Sequence, residues 1–178
     1  MDLVTDAARA LIGVRSGWVE ATHPVEASEL RRFVQATMDT HPRHRPGKAG
    51  GGDAGTRHGA PVAPLGFPVH AYRRAAADAW DPIEGHGDPE FDGESRLMRP
   101  HLPRMPVRLR GVLNGGYDYE FFSNAALGER IFSRSTYVDV RQKEGRSGPM
   151  VIVTITDDFA AGEDRRPLFR CTTNLILR

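Results

Sequence analysis

Two periodicities divide the chain. Between residues 60 and 80 the apolar positions recur at steps of three and four: Val69, Tyr72, Ala76 and Ala79 or Trp80 form one stripe, while Phe67, Ala71 and Ala75 form a second stripe able to lie close to a sheet. Pro61 and Pro64 keep the approach extended and Gly66 permits a tight entry. Pro68 falls in the first turn, where its missing N–H leaves nothing unpaired. This pattern predicts a buried helix over 60–80. From Val112 the period changes to two. Tyr117, Tyr119 and Phe121 alternate with Asp118 and Glu120, predicting a strand with one buried face, inside which Gly115 and Gly116 imply a bulge or a close approach of backbone or ligand. Residues 130–142 and 149–159 read as a long hairpin about the loop Lys143 to Gly148, and 168–177 as a last strand with Phe169, Cys171, Thr173, Leu175 and Leu177 on one face.

The first third of the chain adds smaller elements. Residues 5–12 read as a short helix capped by Thr5, with Ala8, Leu11 and Ile12 inward and Gly13 as the stop. A strand over 17–22 ends at His23-Pro24. A helix then runs from Glu26 or Ser28 to Met38, with Leu30, Phe33, Val34 and Thr37 on its inner face. Between Arg43 and Gly59 no apolar residue is larger than alanine, which predicts a flexible loop. A second polar, proline-rich stretch over 81–106 offers only a few anchors, among them Leu102 and Met105; it either covers a binding tunnel or is disordered. The sum is an α+β domain in which a curved antiparallel sheet wraps one long central helix.

Composition narrows the function classes. A length of 178 residues suits one core, so a single domain over 1–178 is expected. The net charge of +1 supplies no field for nucleic acid or an acidic membrane surface. The single cysteine, Cys171, cannot form an internal disulfide and reads as a buried structural thiol in a reducing compartment. No apolar run approaches the roughly 20 residues of a membrane helix, and Asp2 and Asp6 do not suit a signal peptide, so a cytoplasmic location is expected.

Chemistry has one main candidate, Met38-Asp39-Thr40-His41-Pro42-Arg43-His44 at the exit of the second helix. Pro42 stops the helix, so a tight turn at the domain rim brings a carboxylate and an imidazole together, a combination suited to orienting and deprotonating one water. Read alone, such a run is more often a solvated turn. His41 and His44 have no acidic or cysteine companion at ligand spacing, so no metal is expected. Gly50-Gly51-Gly52 follows no strand and is not a phosphate loop.

In its order of elements the chain resembles the MaoC-like hydratases and dehydratases, in particular their N-terminal-type dehydratase domains. There, a helix ends in Gly-Asp-x-Asn-Pro-x-His; here the run is Asp39-Thr40-His41-Pro42-Arg43-His44. Val62-Ala63-Pro64-Leu65-Gly66-Phe67 is similar to that family's central-helix entry, Leu113-Asn114-Gly115-Gly116 to its Leu-His-Gly-Gly strand, and Lys143 to Gly148 to its hairpin loop. The chain departs from the pattern at Met38, which replaces a usual glycine, at His41 for asparagine, and at Asn114 for a frequent histidine.

The resemblance implies a hot-dog fold and reversible hydration of a 2-enoyl thioester of coenzyme A or an acyl carrier protein, with no cofactor. It implies Asp39 and His44 as the catalytic pair. A backbone N–H of Gly66 or Leu65 stabilises the thioester oxygen, although Gly66 is equally explained by a tight turn, and Asn114, Gly115 and Gly116 lie toward the substrate. Two alternatives stand beside it: a non-catalytic subunit paired with an active hot-dog chain, and a thioesterase acting through Asp39 or Glu120. Edge-to-edge pairing is expected, as a homodimer or as a heterodimer with a second hot-dog subunit.

Overall fold

The computed structural model describes residues 2–44, 61–71, 87, 89, 99, 101–107, 111–146 and 148–178. Its elements run α1 (Asp6–Arg9), β1 (Val19–Glu20), α2 (Ala27–Ala36), a 3-10 turn (Pro42–His44), α3 (Phe67–Ala71), β2 (Val112–Phe121), β3 (Ile131–Gly145), β4 (Gly148–Ala161) and β5 (Arg166–Leu177). All five strands join one antiparallel sheet in the order β1-β3-β4-β5-β2. The expected loop over 43–59 is corrected at its start, where Arg43 and His44 belong to the 3-10 turn; its remainder, the central helix beyond its first turn and most of the cover lie outside the described residues.

The alternation read from the sequence is the pleat of this sheet. Val151, Val153 and Ile155 of β4 are fully buried, and Phe169, Cys171, Thr173, Leu175 and Leu177 of β5 line the same face. One half of the core joins Leu30 and Val34 of α2 and Phe67 of α3 to Ile131, Leu168 and Phe169. The other half joins Val4 and Ala8 to Leu102, Met105, Tyr137 and Val153, so two of the cover's expected anchors are packed. Arg99, from the same cover, forms a forked ion pair with the buried carboxylate of Asp157, which also accepts from Ser135 Oγ at 2.6 Å. A charge this deep is tolerated only when paired and hydrogen-bonded, as here. No helix among the described residues is long and apolar enough to cross a membrane.

Several expectations are corrected. α1 ends at Arg9, because Leu11 N–H and Ile12 N–H bond three residues back, and this tighter winding carries Ile12 to the surface. β1 is two residues long, not six. Thr37 is exposed because its hydroxyl turns back to the Phe33 carbonyl, at 2.9 Å. In α3, Phe67 and Pro68 take the inward side and Val69, about 200° from Phe67 at helical pitch, points away. The predicted hairpin loop is mostly ladder: pairing continues to Gly145 and Gly148, with Gly148 at φ +117°, leaving a two-residue connection. The largest correction is β2. From Leu113 onward it is exposed, because it lies at the sheet edge with β5 as its sole strand partner and no described element over Tyr117, Tyr119 and Phe121.

Candidate active site

Two backbone devices aim the Asp39–His44 turn. At the end of α2, Met38 N–H bonds to the Gln35 carbonyl (3.1 Å) and Asp39 N–H to the Val34 carbonyl (3.0 Å), the paired bonds of a Schellman stop. That stop requires a left-handed residue, and Met38 takes it at φ +54°. Asp39 Oδ1 then accepts from His41 N–H at 2.8 Å, and Pro42–His44 wind one 3-10 turn closed by His44 N–H to the His41 carbonyl.

The turn is fastened to the entry of α3. Arg43 accepts from Val62 N–H at 3.0 Å through its carbonyl, and His44 Nδ1 lies 2.7 Å from the Val62 carbonyl oxygen. Ala63 in turn donates to the Ala125 carbonyl, and Asn124 Nδ2 donates to the Ala63 carbonyl. His44 is thus 2% exposed, not at the rim as the sequence suggested, while Asp39 remains partly open. Because the Val62 carbonyl can only accept and Arg43 Nε can only donate, the hydrogen bonds place a proton on His44 Nδ1 and a lone pair on Nε2. Nε2 faces Asp39 Oδ2 at 3.8 Å, too far for a direct hydrogen bond and suited to one water touching both. Arg43 Nε, at 3.0 Å, also donates to this nitrogen.

The α2 and α3 elements that carry the two halves of the site are braced against each other. Phe33 packs edge-on against Phe67 with ring centres 5.4 Å apart, and His70 Nε2 lies 3.3 Å from Glu29 Oε2. That hydrogen bond from His70 holds the Glu29 carboxyl below its usual range. Leu65 and Gly66 follow Val62 by three and four residues, and Gly66 faces open space, where a Cβ would meet nothing within 4 Å.

Asn114, Gly115 and Gly116 belong to a different element from the Asp39–His44 turn. They lie at the start of β2, roughly 20 Å of strand from its far end, beyond which Asn124 and Ala125 meet Ala63. The glycine pair is a bulge: the register shifts between Asn114 and Tyr117, Gly116 adopts φ +113°, and Asn114 Oδ1 accepts from Gly116 N–H. Gly115 also lets β5 approach, since a Cβ there would fall 2.9 Å from the Asn174 carbonyl oxygen. Sequence reasoning missed Arg43 and Asn124. Arg43 stood inside the motif, but its role depends on a side-chain direction that spacing does not encode. Among the described residues no group of three His, Cys, Asp or Glu side chains could hold a metal ion.

The profile of the FAS1-like dehydratase domain region matches residues 10–165. Among solved structures the chain is similar to the ChsH1-ChsH2 complex from Mycobacterium tuberculosis, at 16% identity and TM-score 0.62, covering 96% of this chain and 86% of that one. It is also similar to the MaoC-like dehydratase from Rhodospirillum rubrum, at 17% identity and TM-score 0.57 over 93% and 91% of the two chains. A third match is the C-terminally truncated HadBC (3R-hydroxyacyl-ACP dehydratase) complex from Mycobacterium tuberculosis, at 16% identity and TM-score 0.55 over 93% and 96%. These likenesses show the hot-dog fold. No curated protein matches the chain.

Proposed function

The chain belongs to the FAS1-like dehydratase group of MaoC-like hot-dog proteins, and from that premise we propose that it adds water reversibly to a 2-enoyl thioester through Asp39 and His44. The observation that supports this most is the bond from His44 Nδ1 to the Val62 carbonyl, which turns Nε2 toward Asp39 Oδ2 at 3.8 Å, close enough for one water beside them to touch both once Arg43 leaves Nε2.

A water beside the pair gives one proton to His44 Nε2 as its oxygen bonds to the β-carbon. The α-carbon gains its proton from the Asp39 carboxyl group, and the proton held by His44 returns to Asp39, restoring the pair; dehydration runs these steps backward. Negative charge that builds on the thioester oxygen meets a backbone N–H of Gly66 or Leu65 at the α3 entry. The chemistry is complete with water alone and calls for no cofactor. The acyl group is carried by coenzyme A or an acyl carrier protein, which suits a cytoplasmic enzyme.

Arg43 supports a second reading. Its donation to His44 Nε2 occupies the nitrogen that the reaction needs, as in a subunit whose chemistry is done by a partner. The HadBC and ChsH1-ChsH2 structures are named as two-component complexes, and the open edge of β2 offers this chain a place to pair. Purified chain incubated with crotonyl-CoA separates these readings. Loss of enoyl absorbance without free thiol is the expected result; thiol release identifies a thioesterase, and silence relieved only by a second hot-dog subunit identifies the non-catalytic partner.

A further inference from the structure

A cavity of about 580 Å³ opens beside the β4–β5 turn, away from Asp39 and His44, and Arg134, Arg165, Arg166 and Arg170 all line it. Trp18 and Phe122 supply flat apolar wall. The size falls within the roughly 300–1,000 Å³ of small-molecule sites.

The charges in this cavity are not balanced. Asp158 is its lining carboxylate, shared by Arg134 Nη2 (3.1 Å) and Arg170 Nε (2.7 Å). Burial works against ionisation of Asp158, but hydrogen bonds from Arg170 and Arg134 outweigh it and hold the carboxyl below its usual range. Arg166 is forked onto Glu129 at 2.7 Å and donates to Ser123 and Asn124. Arg165 meets no carboxylate among the described residues: its Nη1 donates to the Gly162 and Glu163 carbonyls, and its guanidinium lies 3.4 Å over the Phe132 ring. Arg165 is also held left-handed, at φ +56°. Four guanidinium groups therefore face two carboxylates.

Arg134 is held in place within this group. Arg134 Nε is buried with no hydrogen-bond partner, although the same guanidinium stacks 4.4 Å from the Trp18 ring and pairs with Asp158. Planar guanidinium groups set side by side with too few carboxylates are the geometry that phosphate oxygens fit.

The cavity is joined to the catalytic turn by a short bonded path. Arg166 donates to the Asn124 carbonyl, Asn124 donates to the Ala63 carbonyl, and the neighbouring Val62 carbonyl receives His44. These three hydrogen-bonded steps, at about 5 Å each, span on the order of 15 Å.

We propose that this arginine-lined cavity binds the phosphate-bearing nucleotide end of a coenzyme A thioester whose acyl group is presented to Asp39 and His44. The identity of the thioester rests on the hydratase reading above; the phosphate site stands on its own geometry. A nucleotide fits better than the single phosphodiester of a carrier-protein arm, because the cavity is larger than one phosphate needs and is walled by Trp18 and Phe122.

The test uses the whole chain and adenosine 3′,5′-bisphosphate as the probe. Calorimetry should show binding to the wild-type chain, weakened at least tenfold in the Arg165→Gln/Arg170→Gln variant. The ratio of kcat/KM for crotonyl-CoA to that for crotonyl-pantetheine should fall about tenfold. Because Arg170 also braces Asp158, an independent readout is kept in the wild type, where the bisphosphate should quench a fluorescence signal that Trp18→Phe removes. No binding by the wild type, or equal binding by a folded double variant, overturns the proposal. Arginine-dependent binding of a phosphopantetheinyl carrier protein without bisphosphate binding overturns the nucleotide assignment. Arginine-dependent bisphosphate binding by a chain that hydrates no enoyl thioester supports the site and overturns the hydratase reading alone.

Discussion

His44 and Asp39 are coupled to the fold in different ways, and substitutions should separate chemistry from stability. Asp39→Asn keeps an oxygen for His41 N–H and removes the ionisable group, so kcat with crotonyl-CoA should drop by about 10²–10⁴-fold with an unchanged circular dichroism spectrum. His44 is buried and holds Val62, so His44→Gln should lose about 1–3 kcal/mol of stability as well as activity, whereas His44→Asn, whose amide reaches toward the Nδ1 position, should be as inactive but more stable. Thermal melts of the two variants check the difference. Near-normal turnover by Asp39→Asn would refute the pair. Met38 is the opposite case, 83% exposed and contributing only its backbone conformation. Glycine removes the left-handed strain, so Met38→Gly should add about 1 kcal/mol and raise Tm by roughly 2–4 °C.

Among the elements, β2 carries the most specific constraint. Gly115→Ala sets a methyl group 2.9 Å from the Asn174 carbonyl and 3.1 Å from Ile176, and the backbone side of that contact cannot yield. A loss of about 1–3 kcal/mol by denaturant unfolding is expected; an unchanged midpoint would show that β2 does not lie that close to β5. On the outer side of β4, Asp158 ties β3 to β5 through Arg134 and Arg170. Its folded pKa lies below the ordinary 3.8, so its stabilisation is present above about pH 4 and is lost as pH falls through the folded value. Asp158→Asn should flatten the acid limb of a stability-versus-pH curve while leaving its slope above pH 5 unchanged.

At the scale of the molecule, the open side of β2 asks for a partner. Tyr117, Tyr119, Phe121 and Phe122 are all about half exposed on this edge, with Tyr119 and Phe121 stacked 5.6 Å apart, and unpaired strand edges associate unless charged or covered. A dimer through β2 is expected, and light scattering should report twice the chain mass for the wild type and the single-chain mass for Tyr117→Lys. A monodisperse wild-type monomer that hydrates crotonyl-CoA would contradict it.

Local pattern determined the strands of the sheet's centre, the α2 face built on Leu30 and Val34 and the Thr5 cap, and marked Gly115-Gly116 as a bulge or a close approach, because periodicity, capping and glycine act over a few residues and are written directly in the chain. The order of Asp39, Pro42 and His44 was equally legible. The exposure of β2 was not, since alternation says which residues share a face but not whether anything lies over that face. Nor did spacing disclose that His44 is buried, that the Val62 carbonyl sets its proton, or that Arg43 turns onto Nε2, for each depends on segments 18 or more residues apart or on a rotamer. The arginine cavity is the furthest from sequence: Trp18, Arg134, Asp158 and Arg170 come from four stretches of chain, and only the antiparallel register of β1, β3, β4 and β5 sets them side by side.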